Sequence, residues 1–273
     1  LKPETSDSWT AGFSWEQEMT NEFDFGLGAS YYEVDIDNTI IEPNGQYIVN
    51  DCYYTLTGQS AFCDRISRDD SLSIDLLDNG FLNRDNEKAR GVDVNFTFSD
   101  DLSVGTNVYE LTWDVRATRS IERSTLFTDD EGNVDYEDYA GEWGFPSWKG
   151  ESTMVVEWEK WRLQLRSNFI AAVEQEVAGI DPFSDISDSQ FTGTRSDTCL
   201  GEADAYCRDV GFADDYMIHT LSVSYNEDNW AVALGVRNLQ DKAPPMVDGS
   251  EVSSKNNAAI GYGYDMMGRT VFL

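Results

Sequence analysis

The sequence contains no run of about 18 apolar residues, so it predicts no transmembrane helix. Basic residues are also scarce: 19 Lys and Arg stand against 51 Asp and Glu, which gives a net charge of −32. A chain this acidic has no electrostatic basis for binding the phosphate backbone of a nucleic acid. We therefore expect neither a helical membrane span nor a nucleic-acid partner.

Catalytic motifs are missing as well. The chain has no Gly-x-Ser-x-Gly elbow, no P-loop and no His-Glu-x-x-His sequence. Its single histidine, His219, lies in an alternating segment with Met217 and Leu221 two residues to either side. We interpret His219 as a structural residue, and we expect no enzymatic activity and no cofactor.

What the sequence does contain is a regular alternation of short and long connections. Pairs of alternating polar and apolar segments are joined by short turns, and long acidic stretches separate one pair from the next. The predicted short turns are Gln17–Glu22, Ser99–Asp101, Glu159–Lys160 and Asn226–Asn229, and the long stretches are Asn38–Asn86, Ser124–Trp148, Glu176–Ala213 and Leu239–Gly263. Such long loops are uncommon in compact soluble domains, and here they fall on every second connection. The pattern indicates antiparallel strands with all long loops at one end, which is typical of an outer-membrane β-barrel.

The segment Trp161–Ala171 shows the alternation most clearly. Apolar residues occupy its odd positions, with Ser167 as the one polar exception, and polar residues occupy the even positions from Arg162 to Asn168. A period of two places the two sets on opposite faces of a strand. The segment Leu102–Val115 changes phase partway along, which we interpret as a β-bulge.

Aromatic residues flank the short turns. Those nearest to the turns are Trp15, Phe23, Phe98, Trp158, Trp161, Tyr225 and Trp230. Amphipathic rings prefer the headgroup level of a membrane, so the row resembles an aromatic girdle. The alternative is a β-sandwich whose core residues lie near strand ends, but a sandwich does not explain the asymmetry of the loops.

The stretch Ser124–Trp148 is crowded with carboxylates and contains no Lys or Arg. Such a run is usually a solvated loop. A calcium site is the alternative, but Asp129–Asn133 lacks the ligand spacing of an EF-hand. We therefore predict no metal site.

The four cysteines fall as two close pairs, Cys52 with Cys63 in the first long loop and Cys199 with Cys207 in the third. Neither pair has the Cys-x-x-Cys spacing of a zinc ribbon. Four cysteines permit three pairings, and two bridges within loops require no crossing of strands. We predict these two structural disulfides, formed in an oxidising compartment, with reactive or metal-binding thiols as the alternative.

Three segments resemble the TonB-dependent receptors of bacterial outer membranes. Residues 1–13 are similar to the LKPE(T)S…G stretch before a late barrel strand, 236–245 to the NLFDK.PP segment, and 264–269 to the YD..GR that opens the last strand. The stretch from Cys52 to Asp69 resembles a loop of many proteobacterial members. The resemblance covers most of the chain, in the expected order.

This resemblance implies a barrel of 22 strands with an N-terminal plug, driven by TonB. We count eight strands and the start of a ninth in residues 1–273, and expect the C-terminal portion of the barrel domain, with the plug absent from this chain. The implied location is the bacterial outer membrane. The implied partners are outer-membrane lipid, the plug and remaining strands of the same protein, TonB through the missing N-terminal part, and a small-molecule or oligosaccharide ligand.

The implied function is TonB-dependent uptake of a scarce, bulky ligand of the siderophore, cobalamin or oligosaccharide class. The alternative is a passive porin or a surface-binding barrel that is not coupled to TonB. Aromatic residues of the second long loop could stack on a sugar or a flat chelate; the alternative is that they pack the loops together. These candidates are Tyr136, Tyr139, Trp143, Phe145 and Trp148.

Overall fold

The computed structural model describes residues 1–19, 23–54, 60, 62–128, 134–174, 212–245, 254–255 and 258–273. The strands are β1 (Thr5–Met19), β2 (Phe23–Ile41), β3 (Ile66–Arg68), β4 (Ile74–Leu77), β5 (Leu82–Val104), β6 (Asn107–Thr128), β7 (Val134–Asp138), β8 (Trp148–Trp158), β9 (Trp161–Ile170), β10 (Val173–Glu174), β11 (Phe212–Ala213), β12 (Tyr216–Asn226), β13 (Ala231–Arg237), β14 (Ser254–Lys255), β15 (Ala258–Ala259) and β16 (Thr270–Phe272). An α-helix, α1, spans Gly45–Tyr54, and a 3-10 turn spans Cys63–Arg65. Within these ranges no helix is both long and apolar enough to cross a membrane.

The strands form one main sheet in which neighbours in sequence are neighbours in space. Its order is β1-β2-β5-β6-β8-β9-β12-β13-β16, with β7 added beside β6. The pairs from β6 to β16 are antiparallel. The predicted all-β antiparallel fold is confirmed. Along this order the described residues form eight strands and a short ninth, since β16 has only 3 residues, which agrees with the predicted count.

Short and long connections alternate as predicted, but one turn was placed wrongly. The turn Glu159–Lys160 is where the sequence put it, between β8 and β9. The turn predicted at Ser99–Asp101 is instead part of β5, and the chain reverses after Val104. Gly105 has a φ of +66° there, a conformation that glycine adopts without steric cost. The change in the polar/apolar alternation within Leu102–Val115, which the sequence analysis attributed to a β-bulge, therefore accompanies the reversal between β5 and β6.

Side chains alternate across the sheet in continuous rows. One row is apolar on every strand that it crosses: Trp113, Met154, Leu165, Leu221, Val236 and Val271. A row on the other side is polar: Asp114, Thr153, Arg166 and Thr220. We call these the apolar face and the polar face. Because the side-chain period is two, the register of each pair keeps every strand's apolar set on one face.

Aromatic rings form a continuous row on the apolar face beside the short turns. Trp158 and Trp161 stack with their centroids 6.2 Å apart, Trp161 meets Tyr225 at 4.7 Å, and Tyr225 meets Trp230 at 5.6 Å. At the other end of β8, Trp148 lies opposite Arg119, and the two interact as a cation–π pair at 5.8 Å. The ten steps along β8 from Trp158 to Trp148 span about 33 Å. At a strand tilt of 35–45° that distance corresponds to the apolar band of about 25 Å in outer-membrane barrels.

The chain divides into two compact units, which are described separately. The first contains residues 1–9, 32–90 and 122–138. In it, Asn44 begins α1 and its Oδ1 accepts a hydrogen bond from the Tyr47 amide at 2.7 Å, an N-cap contact. The predicted disulfide joins Cys52 to Cys63. Ion pairs link neighbouring strands, including Lys88 with Glu33 at 3.1 Å.

The second unit contains residues 10–31, 91–121 and 139–273. Its buried apolar cluster lies at the long-loop end and consists of Ile170, Tyr216, Ile218, Ala259 and Tyr264, with Trp143 and Tyr262 packed against it. Ile170, Tyr216 and Ile218 occupy polar-face positions of β9 and β12. They are apolar because Ala259 and Tyr264, from the connection that precedes β16, pack in the same cluster. This cluster supports the site described next.

Candidate ligand-binding site at the long-loop end of the polar face

A tight loop positions the first aromatic residue of the site. Between β7 and β8 the chain folds on itself: the Gly141 amide donates to the Phe145 carbonyl at 2.8 Å, and the Phe145 amide donates to the Glu142 carbonyl at 2.9 Å. Gly141 and Gly144 have φ values of +105° and +92°, which a residue with a Cβ rarely adopts. Trp143 lies between these two glycines.

Trp143 packs on a group of three tyrosines. Its ring centroid is 5.5 Å from that of Tyr262 and 6.0 Å from that of Tyr264. Tyr264 in turn meets Tyr216 edge to face at 5.1 Å. Burial, with the nearby Tyr216 second, raises the pKa of the Tyr264 hydroxyl to about 12, so this group stays neutral at any physiological pH.

A network of hydrogen bonds fixes these tyrosines to the end of β13. Asn238, fully buried, donates to the Asp265 carboxylate at 2.9 Å and to the Lys242 carbonyl at 2.9 Å. Asp265 also forms an ion pair with Arg237 at 3.3 Å, and its amide donates to the Tyr216 hydroxyl at 3.3 Å. The buried carboxylate is thus fully compensated. The segments 236–245 and 264–269, both noted in the sequence, are therefore joined to each other by the hydrogen bond of Asn238 and the ion pair of Arg237 with Asp265.

A cavity of about 700 Å³ opens on the polar face beside this cluster. Tyr216, Tyr262 and Ile170 line its apolar side. Its polar lining is Asp93, Asn95, Arg116, Thr118, Lys149, Glu151, Asn168 and Arg237. The combination of aromatic surface with a few convergent polar groups is what small-molecule sites generally present.

The charged residues of the cavity differ in what they contact. Asp93 accepts a hydrogen bond from the Thr118 hydroxyl at 2.6 Å, and Glu151 accepts one from Arg166. In the part of the chain that the structure describes, the side chains of Arg116 and Lys149 contact no carboxylate. Both carboxylates of the cavity therefore accept hydrogen bonds from protein groups, whereas the two cations Arg116 and Lys149 have no carboxylate partner among the described residues.

The five aromatic residues predicted to bind a ligand are not brought together as one group. Trp143 lies at the cavity cluster, whereas Tyr139 and Phe145 pack on each other at 5.9 Å within the loop. Trp148 belongs to β8 rather than to the loop, on the apolar face with Met154. Tyr136 lies in β7 of the first unit, where its hydroxyl is 3.3 Å from Glu122.

The other predicted site residues are the four cysteines. Cys52 and Cys63 form the disulfide described above, and Cys199 and Cys207 lie outside the described residues. Among the residues that the structure describes, no group of three or more His, Cys, Asp or Glu side chains could hold a metal ion.

Sequence reasoning missed the cavity residues Arg116, Lys149, Tyr216 and Tyr262, and it missed Tyr264 in the cluster beside them. One signal was present: the alternation on β9 and β12 breaks at Ile170 and Ile218, where apolar residues replace polar ones. Such a break indicates that a polar face is covered. It does not reveal which loop covers it, because that depends on contacts distant in sequence.

An antiparallel sheet with one apolar face, an aromatic row beside short turns and alternating short and long connections are the features of the wall of an outer-membrane β-barrel. Residues 1–239 match the family model described as TonB dependent receptor-like, beta-barrel. The chain belongs to this family of outer-membrane receptors and transporters. No curated protein matches the sequence. In this family the apolar face contacts lipid and the polar face lines the lumen.

Proposed function

We propose that the chain is the C-terminal portion of the barrel of a bacterial receptor that takes up a scarce, bulky ligand with energy from TonB. The ligand class is that of siderophores, cobalamins or oligosaccharides. The plug and the remaining strands belong to the same full-length protein, and TonB engages its N-terminal part. This chain contributes barrel wall and ligand contacts, and the plug contributes the gate.

The observation that carries the proposal is the cavity on the polar face, which is lined by Tyr262, the ring on which Trp143 packs. A ligand in this cavity would contact aromatic rings on its apolar side and polar side chains elsewhere in the lining. Stacking on an aromatic ring contributes about 0.5–1.5 kcal/mol beyond area burial. Family membership supports outer-membrane receptor function, and the cavity supports the proposal that this chain contributes ligand contacts.

The test is uptake of the cognate ligand by cells that express the full-length receptor, with and without TonB. We expect uptake to disappear when TonB is deleted. Uptake that persists would contradict the proposal and favour a passive porin. Binding without any uptake in either strain would favour a surface-binding barrel.

A second arm tests the placement of the ligand. Trp143→Ala should weaken ligand binding, whereas Trp148→Ala is the matched control because Trp148 lies on the lipid-facing side of β8. Folding of both variants is checked by heat-modifiable gel mobility. Equal affinities in the wild type and in Trp143→Ala would show that Trp143 only packs the loops.

A further inference from the structure

We propose that the ligand of this cavity is anionic, and that Arg116 and Lys149 select it through contacts with a carboxylate. The inference rests on the proposed function, since it names the chemical class of ligand for the same site. It depends on the distribution of charge in the cavity rather than on the aromatic residues.

The cavity has a charge balance unlike that of the chain. Acidic residues outnumber basic ones by 51 to 19 overall. The cavity lining reverses this ratio: once the ion pairs Arg237–Asp265 and Arg166–Glu151 are set aside, two cations, Arg116 and Lys149, remain against one carboxylate, Asp93. In so acidic a protein, a local excess of cations concentrates anions where the surrounding surface repels them.

The cations also differ in how they are engaged. Arg237 is paired with the buried Asp265 at 3.3 Å, so its charge is already compensated. Arg162 and Arg166, on the same face of β9, contact Glu157 and Glu151. Arg116 and Lys149 have no such partner within the described ranges, although both lie on strands where ion pairs across strands are common.

The register places the two cations side by side. Arg116 on β6 lies opposite Glu151 on β8, and Thr118 lies opposite Lys149. Arg116 and Lys149 are therefore diagonal neighbours on the same face, a separation that long side chains bridge. Two adjacent like charges repel each other unless an anion lies between them, and a carboxylate can accept hydrogen bonds from both.

The remaining lining fits a polar, hydroxylated molecule. Asn95 and Asn168 offer amide groups beside the two cations, and Tyr262 offers a ring face or edge at the apolar side. Such a set suits either an acidic saccharide or a carboxylate-rich iron chelate. The two sources share the carboxylate, which is the group that the inference concerns.

The test uses purified full-length receptor and pairs of probes that differ in charge. One pair is trigalacturonate and its neutral counterpart galactotriose, and a further probe is iron(III) citrate. Affinities are measured by titration calorimetry at low and at high salt. We expect an anionic probe to bind at least tenfold more tightly than the neutral sugar, with the difference reduced at high salt. Which anion binds more tightly distinguishes the saccharide from the chelate.

The variants Arg116→Gln and Lys149→Gln should each weaken binding of the anionic probe about tenfold, because each removes a charge-assisted hydrogen bond. Arg162→Gln is the control, since it removes an arginine from the same face that is paired with Glu157 and does not line the cavity. It should leave the affinity unchanged. Heat-modifiable mobility shows whether all three variants fold.

The inference is overturned if the neutral sugar binds as tightly as the anionic probes, if no anionic probe binds, or if Arg116→Gln and Lys149→Gln behave like Arg162→Gln. Each of these results leaves TonB-dependent uptake intact, so it is distinguishable from a failure of the proposed function. Loss of affinity only in the two cavity variants supports the inference.

Discussion

On the apolar face, the hydroxyl oxygen of Ser167 lies 2.6 Å from Nδ1 of His219 on the neighbouring strand. The two residues are direct cross-strand partners in the register of β9 and β12. They lie between the apolar partners Phe169 and Met217 on one side and Leu165 and Leu221 on the other. Each polar group thus satisfies the other in a band that faces lipid, where unpaired polar groups are costly. The structure thus places the single histidine in a hydrogen bond between strands, and its structural role stays a prediction.

The first prediction concerns this pair. Ser167→Ala should destabilise the folded protein by about 1–3 kcal/mol, because it leaves His219 without a partner in an apolar environment. The double variant Ser167→Ala with His219→Leu should recover much of that loss. Urea titrations of the protein refolded into lipid vesicles would measure both. Additive losses in the double variant would mean that the two residues do not interact energetically.

The second prediction tests the assignment of the two faces. Leu163 lies in an apolar row between Val156 and Val223, so Leu163→Arg should destabilise the barrel by about 2–4 kcal/mol. Gln164→Arg, one residue along on the polar face, places the same charge toward the lumen and should be tolerated. Heat-modifiable gel mobility of the full-length receptor reports the folded fraction. Equal losses in both variants would show that the faces are assigned wrongly.

The third prediction concerns the network around Asn238. This residue is fully buried and has a φ of +52°. Asn238→Ala removes its hydrogen bonds to Asp265 and Lys242 and forces alanine into a left-handed conformation, so cleavage within residues 239–269 by an added protease should increase. Asn238→Gly loses the same hydrogen bonds without the backbone strain. We expect it to be cleaved less than Asn238→Ala, and similar cleavage would show that strain contributes nothing.

The fourth prediction concerns orientation in the membrane. The turn at Lys160 should face the periplasm, and the exposed Met267 at the long-loop end should face the outside. With Lys160→Cys and Met267→Cys, a membrane-impermeant thiol reagent applied to intact cells should label only the second variant. Both should react after the cells are lysed. Labelling of Lys160→Cys on intact cells would reverse the topology.

The fifth prediction concerns the loop cysteines. Peptide mapping of the unreduced protein should recover Cys52 linked to Cys63 and Cys199 linked to Cys207. A ring as short as that between Cys52 and Cys63 restricts the unfolded chain by about 3 kcal/mol in the loop-entropy model. A peptide that joins Cys63 to Cys199 would contradict the pairing.

Much of the fold could be predicted because its signals are local. The turn at Glu159–Lys160 is bounded by Trp158 and Trp161, and the alternation on both sides specifies two strands and their faces. The turn after Val104 was missed because the polar residues Ser99–Asp101 resemble a turn more closely than Gly105-Thr106 does. Strand pairing overrides the turn propensity of Ser99–Asp101, which lie within β5. A polar residue on a strand can face the lumen or lie beyond the membrane.

Less of the candidate site could be predicted. Trp143 and Trp148 are five residues apart and look equivalent in sequence, yet one packs on Tyr262 and the other lies on the lipid-facing side of β8. The difference arises because Trp148 is the first residue of β8 rather than the last residue of the loop. Side chains alternate between the two faces along a strand, so the position of Trp148 in β8 fixes the face on which it lies. That boundary depends on pairing with β6 and β9.

The sequence by itself determined the strand count, the alternation of faces, the asymmetry of the loops and the family, because all of these depend on residues close together in the chain. Only the tertiary structure decided that Arg116 lies beside Lys149, that Ser167 meets His219, and that the segments around Asn238 and Asp265 hold each other. These contacts require a particular register between strands. Register is set by the summed packing of many cross-strand pairs, and no single segment carries it.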